Sequence, residues 1–335
     1  MSMGAGLIRD LGFGAAALVF LLLIPAFGGG AGLNDFLIYV AAYGLLALSL
    51  NLLTGYTGLV SFGHAAYFAS GAYSFGLLMQ SGEVSVPVAF VLSVGFTALM
   101  ALVIGAICVR LKEIYFAFLT LAFQMMFHSI ILTWVSLTGG DQGLMGGIPR
   151  PVFWGIDLSG PGSFYAFCMV VFVICALILR QIVQSPFGHT LRMIRDNPER
   201  AVFLGVNTYW AKLLAFVLAG AIASVGGILL ALFASGAYPE FAYWTMSGQA
   251  IFMIMLGGSR VFLGPLLGAA LLQGLNHYIT GWTEHHGLVL GVVIVVAVLG
   301  LRRGIADFAL DWAQSRRERR DDPADPDPAV SGEKA

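Results

Sequence analysis

The chain alternates long apolar runs with short polar connections. Ten runs approach or exceed the roughly 20 apolar residues that a helix needs to cross a membrane. Strands of a membrane barrel would instead alternate apolar and polar residues at every second position. The pattern therefore predicts an all-α, polytopic integral membrane protein with about ten transmembrane helices. The predicted spans are 11–28, 36–54, 60–80, 87–109, 114–135, 163–181, 212–236, 243–258, 261–280 and 287–301.

The distribution of Lys and Arg predicts how these spans are oriented. Ten spans place both termini on one side, and 16 of the 17 Lys and Arg residues then lie on that side, with Arg150 on the other. Positive residues concentrate on the cytoplasmic side of membrane proteins, so we predict that both termini are cytoplasmic. Residues 1–314 would form one transmembrane domain, with an inner loop at about 182–211 and an outer loop at about 136–162.

The composition agrees with a lipid environment. Hydrophobic residues make up 59% of the chain and charged residues 10%, whereas a soluble domain is about 25% charged. The exception is the polar, proline-containing segment 315–335, whose composition predicts a disordered, charged cytoplasmic tail. Cys108, Cys168 and Cys175 lie in apolar runs without metal-ligand spacing, so we expect them to be packing residues.

The charged residues restrict how the chain could drive transport. No Asp, Glu, Lys or Arg lies well inside a predicted span, whereas ion- and proton-coupled transporters generally need ionisable groups there. Some transporters nevertheless bind Na⁺ through carbonyl and hydroxyl groups alone. The sequence also lacks the phosphate-binding G-x-x-x-x-G-K-[ST] pattern. Uphill transport would therefore take its energy from another subunit.

Two other classes of protein stay open as alternatives. A stand-alone facilitator or channel would need no energy source. An integral-membrane enzyme would need a cluster of carboxylates or histidines, and His64, His128 and His277 show no such ligand pattern. We accordingly expect no catalytic residue, metal or cofactor.

The densest motif is the segment 51–73, NLLTGYTGLVSFGHAAYFASGAY. Glycines interrupt an apolar, otherwise helical run, and hydroxyl and imidazole groups lie beside the interruption. A broken helix lined by polar, uncharged groups is typical of a translocation path. The alternative for each residue is tight helix packing, with Ser and Thr bonded to their own backbone. The expected path residues of this motif are Asn51, Thr54, Gly55, Thr57, Gly58, Ser61, Gly63 and His64.

A similar glycine-rich pattern recurs at 255–272, MLGGSRVFLGPLLGAALL. It adds Gly264 and Pro265 to the expected path residues. The recurrence raises the hypothesis of an internal repeat that relates residues 36–135 to residues 212–301.

The inner loop carries the signals of a short surface helix. Asn197-Pro198 is a helix start signal, and Ala201 to Val206 could form the helix, with nearby arginines keeping its polar face in water. Such a helix could be a docking point for a soluble partner. The alternative is an interfacial helix held by arginine and anionic lipid.

Together these blocks resemble the LivM-type permease of the branched-chain amino acid ABC importers. The blocks run from about residue 40 to 275, and Val60-Ser61-Phe62 departs from the family's usual residues. They are Leu48-Ser49-Leu50-Asn51-Leu52, Gly55-Tyr56-Thr57-Gly58, Ser61-Phe62-Gly63-His64-Ala65, Gly71-Ala72-Tyr73, Thr120-Leu121, Thr138-Gly139-Gly140-Asp141-Gln142-Gly143, Arg195-Asp196-Asn197-Pro198-Glu199-Arg200-Ala201, Gly257-Gly258 and Gly264-Pro265-Leu266-Leu267-Gly268-Ala269.

The resemblance implies partners and a role for the inner loop. The chain would pair with a second, homologous permease and would work with two cytosolic ATPases and an extracytoplasmic solute-binding protein in the bacterial inner membrane. Besides membrane lipid we expect no other partner, and in particular no nucleic acid. Permeases for urea and short-chain amides resemble the same family, so they stay open as an alternative. The residues expected to couple the chain to the ATPases are Arg192, Arg195, Asp196, Pro198, Glu199, Arg200, Ala201 and Gly205.

Overall fold

The described part of the chain is almost entirely helical, as the apolar runs predicted. The computed structural model describes residues 3–24, 31–146, 148, 152–153, 156–280, 287–289, 291–292, 295 and 304–321. The helices are α1 (Met3–Leu23), α2 (Ala31–Thr57), α3 (Ala65–Ser81), α4 (Val86–Cys108), α5 (Glu113–Thr133), α6 (Val135–Thr138), α7 (Pro161–Gln184), α8 (Pro186–Asp196), α9 (Pro198–Phe203), α10 (Thr208–Ala234), α11 (Trp244–Gly257), α12 (Gly264–Thr280) and α13 (Ile305–Asp321).

Five of these helices are long and apolar enough to cross a membrane, namely α2, α4, α5, α7 and α10. Helices α3, α11 and α12 are shorter, with 17, 14 and 17 residues. A 17-residue helix is ~26 Å long, slightly less than the thickness of the hydrocarbon core. The polytopic helical architecture is therefore confirmed. The count of ten spans stays a prediction, because most of the run 287–301 lies outside the described residues.

The connections sort into two ends of the helical bundle. At one end, the loop before α3 lies against α8, and the loop before α12 lies against α2. At the other end, strand β1 (Leu144–Met145) pairs antiparallel with β4 (Gly236–Ala237). Strand β2 (Val152–Phe153) pairs with β3 (Ile156–Asp157) in the same outer loop. We call the end with α8 and α9 the inner end; its assignment to the cytoplasm stays a prediction.

The core lies around α2, α3 and α10. In their most apolar windows, 78% of α2 and 72% of α10 are buried, against 22% of α5. Glycine lets the central helices approach closely: a Cβ on Gly227 of α10 would lie 2.8 Å from the carbonyl carbon of Phe68 on α3. Helix α5 is therefore the least covered of the five long helices, and much of its apolar surface faces outward.

Two predictions about polar segments need correction. The inner loop 182–211 is mostly helical, because α8 and α9 occupy it and α10 begins at Thr208. Disorder was predicted for 315–335, yet α13 continues to Asp321. Residues 322–335 lie outside the described residues. The prediction missed this helix because it considered the composition of 315–335 by itself, whereas the helix begins at Ile305 and runs into that segment.

Candidate translocation and coupling site

The helix interruption predicted near Gly58 is present, and we call residues 58–64 the first break. Helix α2 ends at Thr57, Gly58 has a positive φ of 77°, and α3 begins at Ala65. Along the first break, exposed and buried residues alternate from Gly58 to Gly63. This period of two is the signature of extended backbone, in which successive side chains point to opposite sides.

Because exposed and buried residues alternate along the first break, its apolar side chains are exposed and its polar side chains are buried. Val60 and Phe62 point outward and are 38% and 37% exposed, whereas Ser61 and His64 are fully buried. The outward side chains border an open groove of about 570 Å³. The groove is lined by Gly58, Val60, Phe62, Ile114, Ala117, Phe118, Leu121 and Trp244. The hydroxyl of Ser61 and the imidazole of His64 therefore lie behind an apolar lining at this groove, and their role in the translocation path stays a prediction.

Buried polar atoms without partners cluster behind this lining. The Oδ1 of Asn51, the Oγ of Ser61 and the Nδ1 of His64 have no hydrogen-bond partner among the described residues. The other ring nitrogen of His64, Nε2, lies 2.9 Å from the Oγ of Ser49 on α2. An unpaired buried polar group costs about 1–3 kcal/mol. Such groups are rare in well-packed proteins, and three of the seven among the described residues belong to Asn51, Ser61 and His64.

Two of the predicted path residues fit the packing alternative better. The hydroxyl of Thr57 donates to the carbonyl of Leu52 at 2.8 Å, and that of Thr54 donates to the carbonyl of Leu59 at 3.5 Å. Both bonds satisfy backbone carbonyls around the C-terminal end of α2. Thr54 and Thr57 thus stabilise the helix end, and neither is a lining residue of the groove.

A polar network that the sequence analysis missed holds the start of α3. The Oγ of Ser247 on α11 accepts a hydrogen bond from the amide of Ala65 at 2.9 Å and donates to the Oε1 of Gln124 on α5 at 2.8 Å. The Nε2 of Gln124 donates to the carbonyl of Ala242 at 3.1 Å. A glutamine in an apolar span was a usable signal, because such groups need partners in a membrane. Ser247 carried no comparable signal.

The second glycine-rich motif forms a similar interruption, and we call residues 258–263 the second break. Helix α11 ends at Gly257, Gly258 has a φ of 104°, and α12 begins at Gly264. In both breaks a left-handed glycine directly follows a helix end. This local likeness agrees with the repeat hypothesis for these two segments. Gly264 and Pro265 are buried in the first turn of α12 and do not line the groove.

The end of α2, which leads into the first break, touches the second break at the inner end. The Nδ2 of Asn51 donates to the carbonyl of Ser259 at 3.3 Å. A Cβ on Gly55 would lie 2.9 Å from the same carbonyl oxygen. The last turns of α2 therefore pack directly on the second break, and the segments that the sequence placed about 200 residues apart form one site.

Helices α8 and α9 begin with side-chain caps. The Oγ of Ser185 accepts from the amide of Gly188 at 3.3 Å, and the Oδ1 of Asn197 accepts from the amide of Arg200 at 2.9 Å. Each cap is followed by proline, at Pro186 and Pro198, which favours the first turn of a helix. The predicted start at Asn197-Pro198 is confirmed, but α9 ends at Phe203, so Gly205 and Val206 lie beyond it.

Arg195 of α8 connects the inner helices to the first break. Its Nη1 donates to the carbonyl of Gly55, and its side chain lies against Gly58, where a Cβ would come within 2.9 Å of Cγ. Its Nη2 also lies 3.2 Å from the carboxylate of Asp196. A cation at the C-terminal end of a helix stabilises the exposed carbonyls. Arg195 thereby ties α8 to the end of α2.

Arg192 also points toward the bundle. Its Nη2 donates to the carbonyl of Val183 at 2.8 Å, and its guanidinium carbon lies 5.3 Å above the ring of Tyr56. We expected the arginines to keep a polar face in water. Arg195 does remain 38% exposed, but Arg192 is half-buried, and both also bind carbonyls of other segments. Carbonyls freed at the helix ends bind these guanidinium groups, a partner that the sequence of α8 alone does not show.

The solvent-exposed surface at the C-terminal end of α9 is apolar. Pro198, Glu199, Arg200 and Gly205 are exposed as expected, but Ala201 is fully buried and cannot contact a docked protein. Phe203 is 90% exposed, and Val202 and Leu204 beside it are 56% and 64% exposed. Contiguous exposed apolar residues mark interaction sites. Sequence reasoning missed Phe203 because nothing in its neighbours indicates which way it points.

A polar groove lies at the inner end, between α8 and α9 on one side and the connection from α4 to α5 on the other. It has a volume of about 650 Å³ and includes Gly58 of the first break. Its lining carries more basic than acidic groups. The charged lining residues are Arg110, Lys112, Arg195, Glu199 and Lys212. The first break therefore borders an apolar groove on one side and a basic groove on the other.

Comparison with known proteins points to membrane transport systems. A family model described as "Branched-chain amino acid transport system / permease component" matches residues 32–298. The high-affinity branched-chain amino acid transport system permease protein LivM of Escherichia coli is 24% identical over 312 residues, which cover 86% of this chain and 73% of that protein. The probable branched-chain amino acid transport permease protein LivM of Methanocaldococcus jannaschii is 25% identical over 273 residues, which cover 69% and 76%.

A further relative belongs to a different import system. The autoinducer 2 import system permease protein LsrC of Salmonella paratyphi B is 31% identical over 164 residues, which cover 45% of this chain and 43% of that protein. No solved structure matches the chain.

Proposed function

Since the chain belongs to the family of permease components of branched-chain amino acid transport systems, we propose that it forms part of the translocation path of an ATP-driven importer. The proposed substrates are leucine, isoleucine and valine. The importer works by alternating access in the bacterial inner membrane, with both termini of this chain in the cytoplasm. The chain itself is a transport subunit and not an enzyme.

The proposed assembly contains a second, homologous permease, two cytosolic ATPases and an extracytoplasmic solute-binding protein. The sequence lacks a phosphate-binding loop, which supports the assignment of ATP hydrolysis to separate ATPases. The outward apolar side of α5, together with Val60 and Phe62, supports a position for the second permease. Extended backbone at membrane depth must be covered by protein or face water, so lipid alone is a poor neighbour for the first break.

The contact between Arg195 and Gly55 is the observation that carries the proposed coupling. On one side, the α8–α9 pair holds the end of α2 and the first break. On the other side, α9 presents Phe203 to solvent. An ATPase bound at Phe203 would therefore displace a rigid helix pair that is directly bonded to the translocation element. The interfacial-helix alternative does not by itself account for arginines directed at the carbonyls of other segments.

The groove beside the first break favours substrates with an aliphatic side chain. Its lining is apolar, with Val60, Phe62, Phe118 and Trp244 among its residues. Leucine would pass such a surface by burying its side chain, which is favourable at about 25 cal/mol per Å² of apolar area. Urea has no aliphatic part and would gain nothing there. The ammonium and carboxylate of leucine would have to stay in water while its side chain contacts the groove, because burial of a charge costs more than burial of a neutral polar group. The groove thus favours branched-chain amino acids over the urea and amide alternative.

The test is reconstitution of the complete assembly in proteoliposomes. We expect uptake of labelled leucine that requires ATP on the ATPase side and the solute-binding protein on the other side. Excess unlabelled valine should compete, and excess urea should not. Vesicles that contain this chain alone serve as the control and should show no uptake against a gradient.

Three results would contradict the proposal. Uphill leucine uptake by the chain alone would remove the need for the ATPases. Downhill uptake by the chain alone, at the rate of the whole assembly, would favour a facilitator or channel. Competition by urea but not by valine would move the substrate to the amide class.

A further inference from the structure

The C-terminal helix α13 meets the second break through a buried carboxylate. Asp307 lies in the first turn of α13 and is only 5% exposed. Its Oδ1 accepts hydrogen bonds from the amides of Arg260 and Val261, each at 3.2 Å, and its Oδ2 lies 3.4 Å from the amide of Arg260. A buried carboxylate is unfavourable unless it is paired in this way.

The position of Asp307 suits a carboxylate in particular. The first turn of a helix carries partial positive charge from its free amides, which stabilises a negative side chain. The two amides of the second break add charge-assisted hydrogen bonds, which are about twice as strong as neutral ones. An asparagine could keep one acceptor oxygen but would lose the charge. The arrangement therefore binds the second break more tightly than ordinary loop packing would.

Backbone packing brings α13 and the second break into direct contact. A Cβ on Gly258 would lie 2.7 Å from the Cγ of Asp307, and a Cβ on Gly304 would lie 2.7 Å from the carbonyl carbon of Gly257. Both glycines therefore permit an approach that any other residue would block. Gly258 also has the positive φ of 104° that favours glycine. The second break is thus shaped to receive the start of α13.

Ser259, the next residue of the second break, contacts α2, the helix that leads into the first break. Ser259 lies between Gly258 and the two amides that Asp307 binds, and its carbonyl accepts from Asn51 at 3.3 Å. Asn51 belongs to α2, whose end is held by Arg195. A continuous chain of hydrogen bonds and backbone contacts therefore runs from α13 through the second break and the end of α2 to α8.

We propose that Asp307 is a positioning residue for transport, which holds the second break through the amides of Arg260 and Val261 so that both breaks move as one unit. This inference rests on the proposed function. It assigns the C-terminal helix a task in the transport cycle: without the carboxylate, the second break would lose its register with Asn51. Motion delivered by α8 would then move the first break alone.

The test compares Asp307→Asn with Asp311→Asn in the fully assembled importer. Asp311 lies one turn further along α13 and pairs with the side chain of Arg260 at 3.2 Å. The Arg260 side chain is 54% exposed, and pairs of this kind contribute little. Both variants make the same chemical change on the same helix, and Asp307→Asn removes the charge that strengthens the bonds to the amides of Arg260 and Val261.

Two readouts separate positioning from simple stabilisation. In Asp307→Asn, hydrogen exchange of peptides that cover 258–263 should be about tenfold faster, as expected for a loss of ~1.4 kcal/mol of protection. Leucine uptake per ATP hydrolysed should fall at least about threefold, with normal assembly. In Asp311→Asn, both quantities should stay within about twofold of the unmodified importer. Faster exchange with unchanged uptake per ATP would reduce Asp307 to a structural residue and overturn the proposal.

Asn51→Ala tests the same link from the side of α2. It remains informative if Asp307→Asn does not assemble. It should also lower uptake per ATP, and an unchanged value would overturn the link. Where both variants assemble, their effects should be less than additive when combined, because each disconnects the same segment. Full additivity of the two effects would contradict the proposal that both breaks move as one unit. Hydrogen exchange needs no transport, so failure of the proposed function leaves that readout intact.

Discussion

Gly63 provides the sharpest test of the packing at the first break. A Cβ at this position would lie 2.7 Å from the carbonyl carbon of Thr120 and 2.9 Å from its Cβ, and would come still closer to its carbonyl oxygen. Carbon atoms in contact are normally about 3.5–4.0 Å apart, so the first break and α5 would have to separate by roughly 1 Å. The obstacle is mainly backbone of a helix, which cannot rotate away as a side chain could. Overpacking of this kind costs about 1–3 kcal/mol.

We therefore expect Gly63→Ala to lower the stability of the assembled importer by about 1–3 kcal/mol, and Gly63→Leu to abolish uptake. A protein of ordinary stability stays folded after such a loss, so Gly63→Ala should show a lower thermal stability, and a fall in its leucine uptake would report a change at the first break itself. The matched control is Gly95→Ala on α4, where a Cβ would have nothing within 4 Å. That change should be neutral or stabilising by up to ~1 kcal/mol, as for a glycine in a helix. Equal uptake and equal thermal stability of the two alanine variants would refute the close approach.

Two further predictions concern contacts that the sequence did not reveal. Ser247→Ala should destabilise the importer by about 1–3 kcal/mol, because it leaves the buried amide of Ala65 without its acceptor. Ser247→Thr should restore the thermal stability. Unchanged thermal stability of Ser247→Ala would show that this network does not hold the start of α3. Phe203→Ser should weaken co-purification of the ATPases about tenfold or more, as expected for an aromatic anchor at an interface. Ala201→Asp should instead reduce the amount of folded chain, since it buries an unpaired charge. Normal folding of that variant with selective loss of ATPase binding would show that Ala201 is accessible.

Much of the fold could be predicted because a membrane span is a signal of length and composition. The apolar runs located α2–α5, α7 and α10–α12 to within about five residues at each end, whereas α1 begins eight residues before its run. Asn197-Pro198 marked the start of α9. The glycines also marked both interruptions. These features depend on the local sequence alone, so they can be recognised without knowing which segments pack against them.

The direction of individual side chains could not be predicted. Ser61 and Phe62 are adjacent, and only the extended backbone between α2 and α3 decides which of them is buried. Arg195 reads as a surface residue in the sequence, yet it binds the carbonyl of Gly55, 140 residues away. Nothing in the sequence around Asp307 distinguishes it from the other charged residues near the C-terminus, but it binds two amides of the second break. Each of these depends on a contact between segments far apart in the chain.

The central claim is that α8 transmits ATPase motion to the first break through Arg195, and the most direct test is leucine uptake per ATP hydrolysed in Arg195→Ala. The variant loses a hydrogen bond from a charged donor, a bond that contributes about 1.5–3 kcal/mol when fully buried and less here, because the side chain is 38% exposed. Arg195→Lys keeps the charge but not the planar geometry of the guanidinium, so it should be intermediate. We predict that Arg195→Ala binds its ATPases and hydrolyses ATP within about twofold of the unmodified importer, while uptake per ATP falls about tenfold. Uptake per ATP that stays unchanged, with or without a loss of ATPase binding, would contradict the claim.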